Sequence, residues 1–158
     1  MEQMSPYNGY IAFISVFIFV PVITLLVSGL YWLVFNVVLG GTADFKQVLG
    51  VIAHSQMILA VGTLIGTPLQ YALGNVTAAG PFHLGALAAP FDPSSGIARL
   101  LGALTIFGIW QSIVSGLGIA VLYRRRPAGI VVALLILYVA LTAFFYVVLP
   151  SFFSAGTR

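Results

Sequence analysis

RRRPAGIVVALLILYVALTAFFYVVLPSFF, residues 124–153, sets three consecutive arginines and a proline ahead of a long stretch with no charged side chain. A helix needs roughly 20 apolar residues to cross about 30 Å of hydrocarbon, and Ala128–Phe153 exceeds that. The rest of the sequence divides in the same way. Glu2, Asp44 with Lys46, Asp92 with Arg99, the Arg124–Arg126 run and Arg158 bracket three further uncharged stretches, Ile11–Leu39, Val48–Leu73 and Leu100–Tyr123. Backbone polar groups in lipid must be satisfied within the segment itself, which a helix does and an isolated strand does not. Nothing in these stretches alternates as a barrel strand would. The expected fold is therefore all-α: a polytopic membrane bundle of about four helices, spanning 11–39, 48–73, 100–123 and 128–153, in a single transmembrane domain over 1–158.

Composition agrees. Hydrophobic residues make up 61% of the 158 positions and charged residues 6%, and the mean hydropathy is +1.13. A water-soluble domain carries roughly a quarter of its residues charged, so lipid is the solvent here. Three of the six basic residues sit in the one arginine run, which acts as a topology signal; the pI of about 9.5 therefore does not imply nucleic acid. The absence of cysteine excludes disulfides, thiolate metal sites and cysteine nucleophiles. Met1–Tyr10 has Glu2 and no Lys or Arg, which fits a retained first helix better than a cleaved leader. Pro21 within that helix predicts a tilt or kink.

The connections differ. Gly40–Asp44 is a tight turn with Thr42 or Asp44 as helix cap, and Pro127 suits the first turn of the last helix. Gly74–Ala98, rich in Gly, Pro, Ala and Ser, is too broken for a span and reads as an ordered loop at the outer interface, partly re-entrant, ending in an Asp92–Ser95 cap. Cytoplasmic loops retain Lys and Arg, so Arg124, Arg125 and Arg126 face in, as does the Asp44–Lys46 turn; the 74–98 loop and both termini face out. Asn75-Val76-Thr77 matches a glycosylation acceptor, a triplet common by chance.

No carboxylate lies within a span, and the acids are too scattered to pair, which argues against an enzyme and against a proton-coupled carrier. His54 is the ionisable side chain inside a span. It is a haem or chlorophyll ligand, part of a proton path, or a neutral packing imidazole beside Ser55 and Gln56; the last is the simplest reading. Gln56, Thr63, Thr67 and Gln70 share one face of the second helix, a polar stripe suited to interhelical hydrogen bonding or to a solute path. Gly62 and Gly66 flank it. Gly108, Ser112 and Gly116 repeat every four residues on the third helix, a stripe that lets backbones approach closely. His83 reads as an interfacial side chain. Tyr7, Tyr10, Tyr31, Trp32, Tyr123, Phe144, Phe145, Tyr146, Phe152 and Phe153 collect towards span ends, where amphipathic rings anchor.

Two segments carry a resemblance. Thr42–Ser55 resembles the opening of a middle helix in bacterial Yip1-domain membrane proteins. Leu104–Gln111, continuing through Gly116–Ala120 to the basic turn at Tyr123–Arg126, resembles that family's next helix. The resemblance implies a helical membrane fold, usually of five helices, with no catalytic residues and a structural role for His54; the usual first helix or N-terminal region is expected to be missing. It implies an integral protein of the bacterial inner membrane. The expectation is a non-enzymatic scaffold or accessory subunit without cofactor, in contact with lipid and with other integral membrane proteins or further copies of itself. The alternatives are a small transporter or channel-like protein using the polar stripe, and a pigment- or haem-binding subunit of an energy-converting complex through His54.

Overall fold

The computed structural model describes residues 6–38, 40–74 and 80–150. Five α-helices are present among them: α1 Pro6–Leu33, α2 Phe45–Leu73, α3 Gly96–Ala103, α4 Ile106–Leu122 and α5 Pro127–Ala143. A π-turn follows α1 (Val34–Val38), another follows α5 (Phe144–Val148), and a 3-10 turn occupies Leu84–Ala88. The protein is thus a helical membrane protein, and no strand occurs among the described residues. The Asn75-Val76-Thr77 triplet, Ala79, Phe152 and Phe153 lie outside the described residues, as do Glu2 and Arg158. Among the described residues, three helices are long and apolar enough to span a membrane, over Phe17–Val37, Phe45–Leu73 and Pro127–Val148.

The third uncharged stretch differs from expectation. It is not one helix over 100–123: the chain is helical to Ala103, extended at Leu104 and Thr105, and helical again from Ile106. The Thr105 hydroxyl oxygen accepts from the Gly108 N–H at 3.0 Å, so a cap begins α4 in the middle of an apolar run. With 17 residues α4 rises about 26 Å, at the short limit for a crossing.

The chain forms two units, Met1–Ala53 and His54–Arg158, with the boundary inside α2. In the first, α1 continues through Pro21. Its hydroxyls fold back onto the helix: Thr24 donates to the Val20 carbonyl and Ser28 to the Thr24 carbonyl, both at 2.7 Å. The turn to α2 is fixed at one atom. The Ala43 carbonyl accepts from Trp32 Nε1 at 3.0 Å and from Asn36 Nδ2 at 2.7 Å, which fills both of its lone pairs. Gln47 Oε1 accepts from the Asp44 N–H at 3.0 Å, the returning half of a capping box that starts α2.

In the second unit α4 and α5 form an antiparallel pair. Their turn ends α4 with Arg124 in the left-handed region, φ 50°. The Arg125 N–H donates to the Ala120 carbonyl (2.9 Å) and the Arg124 N–H to the Val121 carbonyl (3.2 Å), the bonds of a left-handed helix stop whose special position glycine normally holds. Pro127 stands at the start of α5, as its fixed φ favours. The Asp92–Ser95 segment caps the short α3: Ser95 accepts from the Ala98 N–H, and Asp92 accepts from both the N–H and the hydroxyl of Ser94. The Ser94 hydroxyl, then its N–H, hold the exposed Asp92 carboxyl below the usual range, so the carboxylate's contribution to this turn is full above that range and is lost as pH falls through the lowered value.

Candidate functional site

The segment after residue 79 is a strap rather than a loose loop. Gly80 turns the chain with φ +72°, which only glycine adopts without strain. Pro81 and Phe82 follow, and His83 pairs antiparallel with Thr105. The Leu84 N–H donates to the Leu104 carbonyl at 2.8 Å and the Ile106 N–H to the Phe82 carbonyl at 3.0 Å. The groups released by the gap between α3 and α4 therefore receive partners from the strap. His83 Nδ1 accepts from the Gly85 N–H at 2.8 Å, so this histidine caps the 3-10 turn, a local role that the sequence did not show. Tyr138 of α5 holds the gap from the other side, its hydroxyl oxygen accepting from the Thr105 N–H at 3.2 Å.

Beneath the strap lies a cleft of about 330 Å³ on one face of α2. Gly62 and Gly66 form its floor. A Cβ at Gly62 would stand 2.7 Å from Phe107 Cγ, which excludes a side chain there, and one at Gly66 would stand 3.2 Å from Pro81 Cδ, a tight contact that the strap would have to yield to. Phe82 and Phe107 make its aromatic wall, edge to face at 5.2 Å between centroids. Thr63, Thr67 and Gln70 of the polar stripe line it together with Thr105; Gln56 lies outside it. The Thr63 hydroxyl donates to the Leu59 carbonyl at 3.0 Å. None of the lining side chains carries a charge. Phe82, Thr105 and Phe107 were not among the expected site residues, although Thr105, three positions before Gly108 and just ahead of an apolar run, has the spacing of a cap.

The other sequence-selected residues fall elsewhere. Gly108, Ser112 and Gly116 are buried. A Cβ at Gly116 would lie 2.9 Å from Val131 Cα, and one at Gly108 would collide with the Tyr138 hydroxyl, so this stripe faces α5 of the same chain. Ser112 donates to the Gly108 carbonyl at 2.8 Å. His54 is exposed, whereas its neighbour Ser55 is buried and accepts from the Ser115 hydroxyl at 2.8 Å. Ser55 thus supplies a polar contact between α2 and α4 at this level. Arg124, Arg125 and Arg126 are exposed. Among the described residues no group of three or more His, Asp or Glu side chains could hold a metal ion.

The Yip1 domain family matches residues 2–149, nearly the whole chain. No curated protein and no solved structure matches it significantly.

Proposed function

Because the chain belongs to the Yip1-domain family of integral membrane proteins, we propose that it is a non-enzymatic accessory or scaffold subunit, acting in the bacterial inner membrane by contact with other membrane proteins and lipid. The observation that carries this reading is the outer face of α1. Phe17, Ile18, Phe19, Leu25 and Leu26 are all exposed, and only 11% of the most apolar 18-residue stretch of the Phe17–Val37 span is buried within the chain. Side chains of this size, left uncovered by their own protein, are satisfied by lipid or by another helix. No carboxylate is available at depth for proton coupling.

Copurification in a mild detergent tests the proposal. A partner or second copy retained in fixed stoichiometry, and released by Phe19→Ala with Leu26→Ala, is the expected result. A monomer with no retained protein, coupled to solute flux in proteoliposomes, would favour the second reading, a small transporter. That reading draws on the uncharged polar cleft beneath the strap.

A further inference from the structure

We propose that the cleft under the Gly80–Phe82 strap binds the uncharged head of a membrane glycerolipid, of the diacylglycerol class, with the hydroxyl and ester carbonyls seated among Thr63 and Thr67 of α2 and the Thr105 cap of α4. The inference rests on reading α2 as a membrane span and adds a ligand to the accessory role. Three observations carry it.

The first is charge. A phosphate or carboxylate held here would have no cation among the lining residues, and burying a charged oxygen without one is costly. The second is the hydrogen-bonding character of the walls. Thr105 uses its oxygen to cap α4 and still carries a hydrogen to donate. Thr63 has committed its hydrogen to Leu59 and offers an oxygen that accepts. A donor and an acceptor in one small cleft suit a ligand that combines a carbonyl with a hydroxyl. The third is access. Leu59, Thr63 and Thr67, which line the cleft on α2, are themselves exposed, so the cleft is open along a helix read as a membrane span. Its volume is at the small end for ligand sites, enough for a head and its first carbons, with tails left in the bilayer.

The test uses the purified full-length protein in detergent micelles, without partners, and native mass spectrometry with three probes: dioleoylglycerol, dioleoylphosphatidic acid and free glycerol. Dioleoylglycerol should bind one to one. Phosphatidic acid, with the same tails and a charged head, should bind at least about tenfold more weakly. Glycerol should neither bind nor compete. Thr67→Val removes a hydroxyl at nearly constant volume on an exposed position and should weaken dioleoylglycerol about three- to tenfold. Thr67→Phe should abolish it while thermal stability stays unchanged. Equal binding of the two lipids, competition by glycerol, or indifference to both substitutions would overturn the assignment. Failure here leaves the copurification result untouched, since that experiment reads the outer face of α1.

Discussion

At the residue scale the clearest tension is Arg124. Its φ of 50° is the one non-glycine left-handed conformation among the described residues, and an L side chain there costs roughly 1–2 kcal/mol. The position is set by the two hydrogen bonds that close α4. Arg124→Gly should therefore raise thermal stability in detergent by up to about 1 kcal/mol, part of the gain being offset by the freer unfolded chain. A lower melting temperature would show that the arginine side chain contributes more than its backbone costs. His54 poses the opposite case. It is exposed while Ser55 carries the contact to α4, so His54→Gln should leave assembly and stability nearly unchanged. Protein from native membrane should show no Soret or chlorophyll absorbance that disappears in this variant; such a band would make the chain a cofactor-binding subunit.

At the element scale the small residues separate into two groups by what lies opposite them. A methyl at Gly116 meets the backbone of Val131 at 2.9 Å, and one at Gly62 meets the Phe107 ring at 2.7 Å. Neither neighbour is the loose end of a flexible chain, so each alanine should cost about 1–3 kcal/mol through overpacking. Gly50 and Gly129 face open space, and alanine there should be neutral or gain up to about 1 kcal/mol of helix propensity. Thermal unfolding in detergent of the four variants checks this; equal effects at all four would mean that the Gly62 and Gly116 faces are not packed. The Gly108–Ser112–Gly116 repeat was visible in the sequence, but its partner was not, because the spacing of small residues says only that something approaches. Which helix approaches is decided by the length of the Arg124–Arg126 turn. The break at Leu104 was hidden for a related reason. No charge, proline or polar run marks it, and a threonine cap inside an apolar stretch looks like one more apolar-face residue. Periodicity on α2 located Thr63, Thr67 and Gln70, half of the cleft's chemistry. Phe82, Thr105 and Phe107 reach it from elements distant in sequence, through the strap's hydrogen bonds with the α3–α4 gap.

At the scale of the whole molecule, the placement of a few charges determined most of the architecture. With so few ionisable residues, each marks a boundary, and α2 and α5 begin within three residues of the uncharged stretches that predicted them. The strap and the arginine turn lie at opposite ends of α4, which at 17 residues is shorter than each of the three candidate spans among the described residues. The central claim, a membrane-spanning helical bundle, therefore depends most sharply on whether α4 crosses. The absence of native cysteine makes the measurement direct. Single cysteines replace Ala89, exposed on the strap side, and Ala128, exposed just beyond the arginines, and intact cells are treated with a membrane-impermeant maleimide. Ala89→Cys should react from outside the intact cell and Ala128→Cys only after the membrane is opened; labelling of both from the outside would rule out a crossing by α4.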